Sequence, residues 1–253
     1  MSETPGFPSS PYSFDDLDFE RLWQGRERTT ELERWVVQDA LRGTSPGSVL
    51  EIGPGSGRIT PVLLDHFSEY IGLDASARIA ERWAGRGPGG VALLVGDVHR
   101  LPFHDEIFDA VVAIRVFNFL VDPLGALREM RRVLRPSGTL LFSYFFCPSL
   151  ATFVDALKAQ NSSGLLGRIR HALQGPAPSG LPTRTLIHSL VRRAGFQEIV
   201  EVGTGLEDYR PFRWLPQALL RRVATMFPGS FFLPHVFLRA RRGSNARAGG
   251  PPR

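Results

Sequence analysis

The densest chemistry in the sequence lies in Val49-Leu50-Glu51-Ile52-Gly53-Pro54-Gly55-Ser56-Gly57-Arg58, where a short apolar run meets a carboxylate and three glycines at alternate positions. Glycine turns of this kind bring backbone close to a ligand. In a dinucleotide fingerprint the third glycine falls at the sixth position, and a pyrophosphate sits on the N-terminus of the following helix. Here that sixth position is Arg58. An acid beside the turn repels a pyrophosphate, so Glu51 suits a cationic ligand without phosphate. Asp74 closes the next apolar run, where a carboxylate can accept hydrogen bonds from both hydroxyls of a ribose. Asp97 and Val98 close the run after that. There a carboxylate can accept from the exocyclic amine of an adenine while a backbone N–H donates to a ring nitrogen. One cleft thus offers places for a sugar, a base and a positive centre.

The elements that must hold these residues follow from periodicity. Thr30 followed by Glu33 matches a capping box, and Leu32, Trp35, Val36, Ala40 and Leu41 recur at helical spacing until Gly43. Residues 48–52 read as a strand, 53–57 as a turn and 59–67 as a helix with Pro61 in its first turn. Strands follow at 70–73 and 91–95, each delivering an aspartate at its C-terminal edge, then at 108–116 and 139–145, with a helix at 123–134 and a turn at 136–138. Strands alternating with helices predict a parallel sheet covered on both faces. Beyond it, 149–182 reads as a lid-like insertion of one or two short helices, 185–194 as a helix, 196–202 as a strand, 211–226 as an amphipathic segment and 231–239 as a last strand. The expected organisation is a flexible leader at 1–20, one domain at 21–242 and a disordered tail at 243–253.

Composition excludes several classes. The 253 residues are 43% hydrophobic and 22% charged, ordinary for a globular chain and unlike a disordered or fibrous one. A lone cysteine, Cys147, builds neither a disulfide nor a cysteine-rich zinc site, and reads as a small apolar filler. The longest apolar stretch, around 111–121, is broken by Arg115 and Asn118, short of a bilayer span. Residues 1–10 hold neither a basic residue nor an apolar run, so no signal peptide is expected and the protein is expected in the cytoplasm. The formal charge of +5 is concentrated in five arginines at 239, 241, 242, 247 and 253, with no acid after 238; the rest of the chain is neutral. That distribution makes nucleic-acid binding a weaker reading than the total charge invites.

Taken together, 49–58, 70–76, 96–103, 108–123 and 134–145 resemble the class I S-adenosylmethionine-dependent methyltransferases. Gly96-Asp97-Val98-His99-Arg100-Leu101-Pro102-Phe103 and Phe108-Asp109-Ala110-Val111-Val112 are similar to the small-molecule branch that includes quinone-biosynthesis enzymes, methyltransferase type 11. The resemblance implies an α/β, Rossmann-like sheet of seven strands ordered 3-2-1-4-5-7-6, the last antiparallel, with S-adenosylmethionine across the strand ends. It also implies that Gly53, Pro54, Gly55 and Gly57 pack on the methionine and ribose portion, Asp74 and Ala75 take the ribose, Asp97 and Val98 take the adenine, and Glu51 fills the usual acidic position. No metal is implied.

The resemblance is incomplete. This branch often carries a histidine after the fourth strand, where Asn118-Phe119 stand here, and the segment typical of DNA amine methylation is missing. His99, His104 and Tyr144 are candidate bases near strand ends, each with a packing or surface role as the alternative. Arg115, a guanidinium in an apolar run, faces either the cleft, to hold the cofactor's carboxylate or an anionic substrate, or the surface. Gln24-Gly25-Arg26 and Arg28 offer a second reach toward that carboxylate or a solvated loop. The mixed aromatic and arginine segment 209–232 is either a substrate wall or membrane-surface contact, or an ordinary connection. The expectation is methyl transfer to O or C of a small, hydrophobic molecule, with an RNA methyltransferase and a non-catalytic cofactor-binding module as alternatives. The catalytic residues, the acceptor and the oligomeric state do not follow from the sequence.

Overall fold

The computed structural model describes residues 23–84, 86–145, 182–204, 214–226 and 235–243. Within them the chain begins with helix α1 (Glu27–Ala40), whose buried face carries Leu32, Glu33, Val36 and Val37. Strand β1 (Ser48–Ile52) is buried at every position, as a central parallel strand covered on both faces must be. The glycine turn leads into α2 (Thr60–His66), with proline in its first turn. Strand β2 (Glu69–Asp74) is followed by α3 (Ala77–Trp83), which periodicity did not announce; its start is set by Ser76, whose hydroxyl accepts from the Ile79 N–H at 3.2 Å. Strands β3 (Leu93–Val95) and β4 (Phe108–Ala113) come next, then α4 (Pro123–Val133), capped by Asp122. The remaining elements are β5 (Leu134–Phe145), α5 (Arg184–Arg193), β6 (Phe196–Thr204), α6 (Gln217–Met226) and β7 (His235–Arg242).

The seven strands form one sheet in the order β3-β2-β1-β4-β5-β7-β6, with β7 antiparallel to both neighbours, as the resemblance implied. Chain order runs outward from β1 through β2 to β3 and then returns to β4 on the other side of β1. The C-terminal ends of β1 and β4 therefore flank the point where crossover connections diverge, which is where open α/β sheets bind ligands. One apolar layer packs between the sheet and α4 and α5, built on Leu50, Val111, Phe142, Met130 and Ile187. The other lies under α1 and α2 on Val36, Val37, Val49, Leu63, Val112 and Leu141.

Four expectations are revised. Thr30 and Glu33 do not form a capping box: α1 starts at Glu27, and Glu33 lies mid-helix with its carboxylate fully buried. Strand β4 stops at Ala113, because Arg115 adopts φ 61°, a left-handed conformation incompatible with continued pairing. The turn at 136–138 is absorbed into β5, with Ser137 at φ 63° and a register shift between β4 and β5 marking the irregularity. The last strand begins at His235 rather than 231 and reaches Arg242. The insertion at 149–182 reaches the described residues only at Pro182, and Cys147, the leader at 1–20 and nearly all of the tail at 243–253 fall outside them. Of the 209–232 segment, α6 packs Leu220 and Ala224 inward and joins α1 through Gln217, whose side-chain amide donates to the Arg28 carbonyl at 3.0 Å.

Candidate functional site

The turn after β1 is fixed from three sides. The Gly53 N–H donates to the Leu73 carbonyl of β2 at 2.8 Å, the Gly57 N–H to the Pro54 carbonyl at 2.9 Å, and the Trp83 indole to the Gly55 carbonyl at 2.9 Å. Gly53, Gly55 and Gly57 have φ of 64°, 58° and 78°, a conformation that costs other residues about 1 kcal/mol or more. A Cβ on Gly53 would also lie 2.5 Å from the Val116 side chain. Pro54, between the first two of these glycines, is buried.

Asp74 ends β2 beside the turn, 6% exposed, accepting from the Ser76 N–H at 3.0 Å and from the Gly55 N–H at 3.4 Å. One carboxylate thereby ties the glycine turn to the next strand, and Ala75, exposed, follows it. The Gly96 N–H donates to the Asp74 carbonyl at 3.0 Å, which brings the end of β3 alongside. There Val98 is buried, while Asp97 keeps two-thirds of its side chain in solvent and accepts from the His99 N–H (2.9 Å) and pairs with its ring Nδ1 (2.7 Å). Burial raises the Asp97 carboxyl, but these bonds from His99 outweigh it and hold the group below its ordinary range. Two carboxylates on adjacent strand ends, with the turn between β1 and α2 beside them, present acceptors for hydroxyl and amine hydrogens next to closely approaching backbone, a set that suits the nucleoside of S-adenosylmethionine.

Glu51 stands apart from this set. It is buried, and its Oε2 accepts from the Thr60 and Tyr70 hydroxyls, both at 2.7 Å. Burial pushes its carboxyl up to about 7, against the opposing bonds from Thr60 and Tyr70 and the charge of Arg58.

Arg115 is paired with a carboxylate of the chain itself. Its Nε and Nη2 donate to Glu33 Oε1 at 2.8 and 2.5 Å, and the guanidinium lies 4.5 Å from the Trp23 ring and 5.0 Å from the Phe145 ring. Glu33 also pairs with Arg58 Nη2 at 2.8 Å, and that guanidinium sits 3.2 Å over the same Trp23 ring. The third neighbour is His235, with Nδ1 at 3.3 Å from Glu33 Oε1. Burial opposes ionisation of Glu33, yet the bond from His235 and the charges of Arg115 and Arg58 hold its carboxyl far below the usual range. Sequence reading missed Glu33 and His235. The capping-box spacing explained Glu33 away, and a lone histidine in an apolar strand gives no signal of its neighbours.

Two of the three candidate bases, His99 and Tyr144, are engaged within the chain. His99 lies between Asp97 and Asp122, whose N–H donates to its Nε2 at 3.3 Å. The fully buried Tyr144 hydroxyl donates to Glu201 Oε1 at 2.7 Å, and burial beside that acid pushes the phenol well above its ordinary value. His104 is exposed at the surface. Arg28 binds the Leu215 carbonyl, and Arg26 lies 5.9 Å from the Trp23 ring. Among the described residues no group of three or more His, Cys, Asp or Glu side chains is placed to hold a metal, and no helix is long and apolar enough to cross a membrane.

Residues 50–142 match the family model described as a methyltransferase domain. A demethylmenaquinone methyltransferase of Mycolicibacterium paratuberculosis is 38% identical over 126 residues, covering 49% of this chain and 53% of that protein. One of Thermotoga maritima is 33% identical over 131 residues, 51% of this chain and 56% of that protein. The chain spans about half the length of the curated relatives it matches. Among solved structures, a SAM-dependent methyltransferase of Thermotoga maritima aligns with TM-score 0.59 at 23% identity, covering 90% of this chain and 97% of that one. That likeness extends the fold to the whole described sheet.

Proposed function

We propose that this chain, whose residues 50–142 belong to the methyltransferase-domain family on a class I fold, is a cytoplasmic enzyme that transfers the methyl group of S-adenosylmethionine to oxygen or carbon of a small, apolar molecule. The observation that carries the reading is the meeting of Asp74, Asp97 and three left-handed glycines at the β1/β4 divergence point. In this reading Asp74 accepts from the ribose hydroxyls, with Ala75 beside it. Asp97 and the Val98 backbone receive the adenine, and the backbone of Gly53–Gly57 lies against the methionine portion. The sulfonium, when bound, supplies an activated methyl group. The chain then contributes alignment and exclusion of water, worth of order ~7–11 kcal/mol in favourable cases.

The small-molecule reading is supported by relatives named for demethylmenaquinone methylation and by the fate of the basic C-terminal stretch. Three of its five arginines are spent on the fold. Arg239 donates to the Ala40 carbonyl, Arg241 pairs with Glu198, and the buried Arg242 binds the carbonyls of Arg131, Arg132 and Leu134 and the Glu106 carboxylate. That leaves little of the charge block for an RNA backbone.

The test is transfer of a labelled methyl group from S-adenosylmethionine to a reduced naphthoquinone and, in parallel, to bulk RNA. Label in the quinol fraction is expected. Label confined to RNA, or in neither while the protein binds the cofactor, overturns the acceptor assignment.

A further inference from the structure

His235 opens β7, where it pairs with Phe145 of β5 on one side and Thr204 of β6 on the other. Both partners are the last residues of their strands. The imidazole therefore sits at the same edge of the sheet as Gly53, Asp74 and Arg115. Its ring stacks on Phe145, centroids 4.7 Å apart and planes at 26°, and meets Phe237 edge-on at 4.9 Å.

The ring's bonding pattern fixes its tautomer. Nδ1 lies 3.3 Å from Glu33 Oε1 and 3.2 Å from Thr204 Oγ1. Glu33, fully buried and held ionised between Arg58 and Arg115, can only accept. The proton of a neutral imidazole therefore belongs on Nδ1, and Nε2 carries the lone pair. Nε2 is buried and has no hydrogen-bond partner among the described residues. A buried acceptor left in this way costs about 1–3 kcal/mol, and such a group at a ligand-binding edge calls for a donor that arrives with the ligand. The position after β4 cannot serve instead. The Asn118 side-chain amide donates to the Phe145 carbonyl at 2.9 Å and accepts from its N–H at 2.7 Å, so it braces the residue on which His235 stacks.

We propose that His235 is the general base of the methyl-transfer reaction and that Glu33 is the positioning residue that fixes its tautomer. This rests on the methyl-transfer reading above. Nε2 takes the proton of an acceptor hydroxyl. The electron pair released, on that oxygen or on a ring carbon conjugated to it, forms the new bond to the methyl carbon. The methyl–sulfur bond breaks with its pair left on sulfur, and the proton remains on the imidazolium, beside the Glu33 carboxylate. Burial, aided by the charges of Arg115 and Arg58 and opposed by Glu33, holds the imidazole below its ordinary value, so the ring is neutral and able to accept at pH 7.

The test combines nitrogen NMR of the histidine-labelled protein with kinetics, using a naphthohydroquinone as acceptor and S-adenosylhomocysteine as the binding probe. In the wild type at pH 7 the His235 Nε2 resonance is expected to be of the unprotonated type and Nδ1 of the protonated type. Glu33→Gln is expected to weaken that preference and shift the pH profile of kcat. His235→Asn is expected to bind S-adenosylhomocysteine within about threefold of the wild type, while kcat falls ~10²–10⁴-fold with little change in KM. A proton found on Nε2 in a protein that binds the probe overturns this proposal alone, as does wild-type turnover by His235→Asn. A wild-type protein that gives no heat with S-adenosylhomocysteine overturns the methyl-transfer reading and this proposal with it.

Discussion

Glu51→Gln isolates the energetic cost of a buried acid beside the turn. The carboxyl ordinarily titrates near 4.5 and is pushed to about 7 by burial, so between those values the folded protein keeps a proton that the unfolded chain has released. Stability that is fully present below about pH 4.5 is therefore lost as pH rises toward about pH 7, beyond which the loss stops. At ~1.36 kcal/mol per pH unit, going from about pH 5.5 to about pH 8.5 lowers the unfolding free energy by roughly 2 kcal/mol through this one group. The glutamine has no such proton to lose, and its amide oxygen still accepts from the Thr60 or Tyr70 hydroxyl. Urea unfolding of both proteins at the two pH values cancels every other titrating group. The expected result is a variant that gains about 2 kcal/mol on the wild type from the lower pH to the higher. A difference that is the same at both pH values refutes the assignment of a raised Glu51 pKa. A bound cation draws the proton off the same group, so cofactor binding near neutral pH is expected to release protons in the wild type and fewer in Glu51→Gln, measured by calorimetry in buffers of different ionisation heat.

Two further perturbations probe the scaffold. Gly53→Ala introduces a methyl at φ 64° and 2.5 Å from Val116 Cγ2, so a loss of about 1–3 kcal/mol is expected in chemical unfolding, with part recovered when Val116→Ala is added. Arg242→Met removes the donor that satisfies the carbonyls of Arg131, Arg132 and Leu134 at the C-terminal end of α4, together with the pair to Glu106. Thermal and urea unfolding are expected to show a loss of about 2–3 kcal/mol with RNA binding unchanged, whereas unchanged stability would return this arginine to the pool of free surface charge.

The sheet was legible because its signals are local. Five buried positions in β1, an aspartate closing β2 and glycines at alternate positions in the turn each leave a mark within ten residues of chain, and together they announced the class, while the strand order came from the family resemblance. The ionic cluster was illegible because it is built from four distant segments. Glu33, Arg58, Arg115 and His235 meet only through the crossing of α1 over the ends of β4 and β7, and a Thr-x-x-Glu spacing that mimics a cap concealed the acid at its centre. Arg115 was singled out for the right reason, an arginine in an apolar run, but its counter-charge lies 82 residues away on α1. The end of β4 was overrun for a related reason: apolar periodicity continues through Val116, while the left-handed turn at Arg115 is a tertiary requirement that no propensity encodes.

Titration of the wild type and Asp74→Asn with S-adenosylhomocysteine, followed by heat, bears most directly on the claim that the turn and its flanking acids hold a nucleoside. Loss of a charged acceptor of two hydroxyls is worth about 1.5–3 kcal/mol, so binding in the wild type and a ~10–100-fold weaker constant in the variant are predicted. Equal affinity in the two proteins, or heat from the wild type only with a phosphate-bearing dinucleotide, would contradict it.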